Sequence, residues 1–174
     1  MLKKILLILM MFFLLSTAYA AENPRWITQP INVYIPKYGD YSKLMYRAFV
    51  AWEEKARRLV RFKFVSNPNN ANIEVHFVDN VQNCNSDLAV GCERSLVRGN
   101  RYYKSHIEIA LKQKVDNEEY RPIKNIYGVM LHEIGHALGL GHSDDPNSIM
   151  FSYDLPTLQY LTQEDLRLLY KKYH

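Results

Sequence analysis

A single domain of the mixed α/β (α+β) class, a mixed sheet packed on helices, is what this sequence predicts. Three observations lead there. Apolar spacing switches along the chain between the period of strands and that of helices, in the order strand, helix, three or four strands, helix, loop, helix. No internal repeat, low-complexity tract or linker divides it. A length of 174 residues, 48% of them hydrophobic and 23% charged, suffices for one core and is ordinary for a globular chain.

Residues 1–20 read as a signal peptide ahead of a single domain at 21–174. Lys3 and Lys4 begin it, Ile5 to Leu15 is an unbroken apolar run, and Ala18-Tyr19-Ala20 matches the small-residue cleavage pattern. An uncleaved anchor is the alternative, but a spanning helix needs about twenty apolar residues. No cysteine stands at the cleavage point to carry a lipid. Export, to the periplasm or the medium, is therefore expected, with no membrane contact after cleavage. Of the formal charge of +4, Lys3 and Lys4 supply two, and the remainder is too small to argue for nucleic acid.

Trp26 to Ile35 alternates at Ile31, Val33 and Ile35 and reads as a first strand, ended by Pro36 and Gly39. From Tyr41 to Leu59, Leu44, Met45, Ala48, Phe49, Trp52 and Ala56 recur at helical spacing, with Ser42 a candidate cap. Arg57, Arg58 and Arg61 at its end suit a solvated helix terminus better than an anion site. Val60 to Val65 and Ala71 to Val78 read as strands around an Asn-Pro-Asn-Asn turn. Asp79 to Asn100 reads as irregular and holds both cysteines, Cys84 and Cys92. In an exported chain an even count favours a disulfide over free thiols, and the spacing is too wide for a zinc knuckle. Arg101 to Leu111 supplies one or two further strand stretches. Asp116 to Arg121 is a polar connection, and Pro122 suits the first turn of a helix over Ile123 to Leu138. Thr162-Gln163-Glu164-Asp165 is a capping-box pattern opening a last helix to about Lys172.

The chemistry concentrates in His132-Glu133-Ile134-Gly135-His136-Ala137-Leu138-Gly139-Leu140-Gly141-His142, which matches H-E-x-x-H-x-x-G-x-x-H at every fixed position. Residues four apart share a helix face, so His132 and His136 can hold one zinc ion together. In a continuing helix His142 would lie about 15 Å beyond His132 and roughly 280° round the axis. Gly139 can adopt the left-handed conformation that ends the helix and turns the chain back. Three imidazoles and an open fourth position make a catalytic rather than a closed structural site. Glu133, next to His132, suits a general base that takes a proton from zinc-activated water.

This extended motif resembles the metzincin peptidases. Met150, eight residues after His142, matches the methionine of their turn beneath the metal. Ser143 and the stretch His142-Ser143-Asp144-Asp145-Pro146-Asn147-Ser148-Ile149-Met150 resemble the matrixins, the matrix metalloproteinase group, and Leu161 to Tyr170 is similar to their last helix. Trp26, Ala48 to Trp52 and Ala71 to Val75 are weaker likenesses. The resemblance implies a zincin fold with a twisted, mixed five-stranded sheet over three helices. It implies a cleft between the sheet edge and the Met150 side, and endopeptidase activity on an extended polypeptide, here expected of a monomer with one catalytic zinc.

The departures are specific. Matrixins carry a propeptide whose cysteine caps the zinc; Ala21 to Arg25 are too few residues for one and lack a cysteine, so activity without a zymogen step is expected. Matrixins also bind structural zinc and calcium through a loop rich in His and Asp. This chain has His76 and His106 but no His-x-Asp cluster, so the sequence does not support a structural ion, and both histidines read as strand-face residues. Tyr153 reads as part of a specificity-pocket wall. Two other functions compete. A catalytically silent zinc-binding interaction module is disfavoured because Glu133 is kept, and a hydrolase of non-peptide substrates has no support from the Met150 turn.

Overall fold

The computed structural model of the chain describes residues 24–81, 84, 89–114, 120–122, 124–151 and 158–174. The signal segment with its cleavage point, most of the polar connection after Asp116, and Tyr153 lie outside the described residues. Five strands form a mixed sheet: β1 Ile31–Tyr34, β2 Phe62–Phe64, β3 Ile73–Val78, β4 Gly91–Arg98 and β5 Arg101–Ala110. Their order across the sheet is β2-β1-β3-β5-β4. The first four in that order run parallel, and β4 runs antiparallel to β5 at the edge. Three helices accompany it: α1 Gly39–Lys55, α2 Ile126–Ala137 and α3 Gln163–Tyr173. Two short strands, β6 Lys112–Lys114 and β7 Tyr120–Pro122, pair with each other apart from the main sheet. This is the expected five-stranded sheet with three helices.

The two faces of the sheet are chemically different because side chains alternate along each strand. Ile31, Val33, Ile73, Val75, Ile107 and Ile109 are fully buried on one face. Against them lie Met45, Ala48, Phe49 and Trp52 of α1 and the apolar body of α2. Each such large side chain contributes on the order of 1.5–3 kcal/mol by leaving water. Two indoles also satisfy α2 carbonyls: Trp52 Nε1 donates to Leu131 O at 3.0 Å and Trp26 Nε1 to Ala137 O at 2.7 Å. A helix so fixed from two sides is a rigid platform for whatever its side chains do.

Several local expectations are corrected. The first strand covers only Ile31–Tyr34, so Trp26 serves as a strut to α2 instead of a strand residue. Helix α1 starts after Tyr38, and Ser42 Oγ works inside its first turn, accepting from Tyr38 N and donating to Pro36 O. Pro122 ends β7, and α2 begins at Ile126 behind Asn125, whose side chain accepts from Gly128 N. The largest difference is β4, eight residues of regular strand in a stretch expected to be irregular. Gly91, Glu93 and Ser95 sit on the face that carries buried Ile109, Ile107 and Ser105 of β5. That face borders a polar site, so the apolar alternation that announces a strand is missing.

Candidate metal centre and active site

Helix α2 carries His132 and His136 one turn apart. It stops where Gly139 takes φ +91°, with Gly139 N bonded to His136 O at 2.7 Å and Leu140 N to Gly135 O at 3.0 Å. Those two bonds are the Schellman pattern, which satisfies carbonyls left open at a helix end. The chain then doubles back and His142 meets the other two imidazoles. His136 Nε2 lies 3.0 Å from His132 Nε2 and 3.2 Å from His142 Nε2. The opposite ring nitrogens are held by carbonyls: His132 Nδ1 by Ile149 O at 2.7 Å and His136 Nδ1 by Leu140 O at 2.9 Å. A carbonyl only accepts, so each Nδ1 carries the hydrogen and each Nε2 presents a lone pair to its neighbours. Burial, and then the neighbouring His136, hold the His132 imidazolium down to about 3; burial lowers His136 as well. Both rings are therefore neutral at ordinary pH, which is the form that binds metal. Three imidazole nitrogens converging on one point, with the third ligand, His142, exposed at the surface, fit a zinc ion.

Glu133 is buried beside His132, and among the described residues its Oε2 has no hydrogen-bond partner. Burial pushes its carboxyl up to about 8, with the nearby Glu93 carboxyl adding to the shift; a divalent cation at the imidazoles acts in the opposite direction. Space for Glu133 is made by Gly91 on the edge strand, where a Cβ would come within 2.7 Å of Glu133 Cγ. Two residues on, Glu93 Oε1 accepts from Ser95 Oγ at 2.5 Å and Ser105 Oγ at 2.6 Å. Burial raises the Glu93 carboxyl against those hydroxyl bonds.

Met150 is fully buried against Gly135 of the motif. A Cβ on Gly135 would overlap its sulfur, so the glycine inside the motif admits the methionine. The turn bearing Met150 is closed by Ser143 N bonding to Met150 O at 2.9 Å. It is tied to α3 by Asp165, a fully buried carboxylate. Asp165 Oδ1 accepts from Ser148 Oγ at 2.5 Å and Ile149 N at 3.0 Å, while Oδ2 accepts from Thr162 N at 2.7 Å and Thr162 Oγ1 at 2.9 Å. One side chain thus caps α3 and holds the backbone whose Ile149 carbonyl orients His132.

The residues singled out from sequence, His132, Glu133, His136, His142 and Met150, come together in this one place. Cys84 and Cys92 form the expected disulfide, which ties Cys84 to the edge strand. Sequence reading missed Gly91, Glu93 and the second task of Asp165. Only Asp165 left a signal, its place in the capping box. His76 and His106, read as separate strand-face residues, stand together with Glu74, their ligand atoms within 4.8 Å of one another.

Comparison with known proteins places this geometry. The family model described as Matrixin, a peptidase family, matches residues 26–174. The chain is 30% identical over 129 residues to matrix metalloproteinase-A of Caenorhabditis elegans, a match covering 72% of this chain and 24% of that protein. It is 27% identical over 150 residues to probable matrix metalloproteinase 095L of Invertebrate iridescent virus 3, covering 83% and 39% respectively. Over a shorter stretch of 47 residues it is 49% identical to macrophage metalloelastase of Oryctolagus cuniculus. The chain spans well under half the length of each of these relatives.

Proposed function

This chain belongs to the matrixin family, and from that premise we propose that it is a zinc endopeptidase cleaving extended polypeptides, with Glu133 as general base. The observation that carries the reading is the gathering of three Nε2 atoms at 3.0 and 3.2 Å beside a buried Glu133 oxygen that has no hydrogen-bond partner among the described residues. His132, His136 and His142 would hold the zinc. When bound, the ion supplies Lewis acidity, activating water and polarising the scissile carbonyl.

The chain's own residues do the rest. Ile149 and Leu140 carbonyls fix the imidazole tautomers, so the site need not reorganise to receive the ion. Glu133 Oε2 takes a proton from the attacking water and returns it to the departing amine. Strand β4 is the edge of the main sheet among the described residues, and an extended peptide added along that edge would set its scissile bond beside Gly91 and Glu133. The disulfide suits an oxidising compartment, and among the described residues no helix is long and apolar enough to cross a membrane. The disulfide supports secretion or periplasmic export.

The test is Glu133→Ala assayed on an unstructured polypeptide beside zinc analysis. Zinc and fold should be kept while hydrolysis falls by about 10²- to 10⁴-fold. A variant retaining more than roughly a tenth of the turnover would remove Glu133 from this role. A wild-type protein that binds zinc and peptide but cleaves nothing would favour the silent binding module.

A further inference from the structure

We propose that Glu93 determines substrate specificity: its carboxylate receives a lysine or arginine side chain of the peptide, close to the scissile bond. Such a role presupposes the endopeptidase reading.

Glu93 is a half-buried carboxylate with no ion pair among the described residues. Its support is two hydroxyls, Ser95 Oγ and Ser105 Oγ, which both donate to Oε1 at 2.5 and 2.6 Å. Oε2 accepts no hydrogen bond. Glu133 Oε2 is the one fully buried side-chain oxygen without a partner among the described residues, so Glu93 Oε2 keeps a path to solvent. The guanidinium next in the chain, Arg94, is bound to Glu108. Burial pushes the Glu93 carboxyl up, and the two hydroxyls and the charge of Arg94 only oppose that effect. Carboxylates withdrawn from water are normally paired, because the anion loses hydration that a counter-charge must replace. Here the counter-charge is left for the substrate to bring.

Position gives the open oxygen its use. Gly91 and Glu93 are two apart on the edge strand β4, so both face the same way, and Gly91 lies against the Glu133 carboxyl. Glu93 therefore stands about 7 Å along the strand from the point nearest the catalytic base. Directly opposed residues of neighbouring strands turn their side chains to one face. A peptide residue paired with Glu93 thus directs its side chain toward this carboxylate, two residues from the one paired with Gly91. Since Oε1 is already filled by two hydroxyls, Oε2 offers a single point of contact. A lysine ammonium suits that as well as an arginine fork, which gains most from two free oxygens. In a partly dry place such a charge-assisted contact is stronger than at an open surface.

Cleavage profiling of the zinc-loaded full chain on a proteome-derived peptide library tests this. Wild type should enrich lysine and arginine at one position within about three residues of the scissile bond. In matched peptides carrying lysine or norleucine there, kcat/KM should favour lysine by about ten- to a hundredfold. In Glu93→Gln that ratio should fall to near one. The ratio is taken within each enzyme, so a general change of turnover cancels. Glutamine keeps an acceptor for the serine hydroxyls, and circular dichroism checks the fold. Glu93→Asp, which keeps the charge, should retain part of the preference. Peptide affinity of Glu133→Ala should show the same discrimination, and the Glu133→Ala/Glu93→Gln double variant should lose it, which reads binding apart from turnover. Cleavage without a basic preference, or a preference unchanged in Glu93→Gln, would overturn the role of Glu93 and leave the endopeptidase reading standing. A zinc-loaded wild type that cleaves no peptide overturns both.

Discussion

Glu133 is crowded by two residues of the edge strand, and each has a measurable consequence. Gly91→Ala places a methyl where the Glu133 side chain now lies, so the carboxylate must move off its position. We expect turnover to fall at least tenfold with zinc content and secondary structure kept, since a misplacement of about 1 Å at a catalytic group can cost on the order of a hundredfold. Unchanged kcat would show that Glu133 needs no exact seat. Glu93 gives a pH signature. Its folded carboxyl titrates above the ordinary value of 4.5 because burial penalises the anion. Below about 4.5 the acid is neutral in both folded and unfolded chains and costs nothing; as pH rises, ionisation in the folded state becomes a growing penalty. Glu93→Gln should therefore raise the thermal midpoint at pH 7.5 and lose that advantage toward pH 4. A difference independent of pH would assign the effect to packing.

At the level of elements, α2 and α3 are joined through the Met150 turn, and Asp165 is the joint. Its four accepted hydrogen bonds cap one helix and anchor the loop that orients the first imidazole. Asp165→Ala leaves Ser148 Oγ and Ile149 N without their partner in a buried place. The expected cost is about 2–4 kcal/mol, combining a lost cap with unsatisfied donors, together with weaker zinc binding. Denaturant unfolding with and without zinc measures both. Loss of stability with zinc affinity intact would confine Asp165 to capping.

Across the whole molecule, the two sides of the sheet divide the labour. One side buries the apolar contacts that hold α1 and α2, and the three-histidine cluster stands at that side's edge; the other is polar and carries the Glu74 cluster. An ion bound only by the folded chain stabilises it by mass action, about 4 kcal/mol when free zinc exceeds its dissociation constant a thousandfold. Chelation should therefore lower the unfolding midpoint and zinc restore it. A midpoint indifferent to both would mean that the three imidazoles hold no ion in solution.

His132, Glu133, His136, Gly139 and His142 were legible because helical periodicity and one glycine convert sequence spacing into direction in space. The same holds for α1, where Met45, Ala48, Phe49 and Trp52, at three- and four-residue spacing, are the residues buried, and for the Thr162–Asp165 cap. Local geometry suffices wherever partners are within one or two turns. It fails where partners meet across the sheet. Strand β4 hid because its inner face holds Gly91, Glu93 and Ser95 against a polar site, and Gly91 matters only because Glu133 arrives 42 positions later in the chain. His76 and His106, thirty residues apart, became neighbours of Glu74 only through the β3–β5 register. Side-chain order along one helix is written in the local chain; which strands lie side by side is decided by burying the apolar face of the whole sheet, and that is a property of the tertiary structure alone.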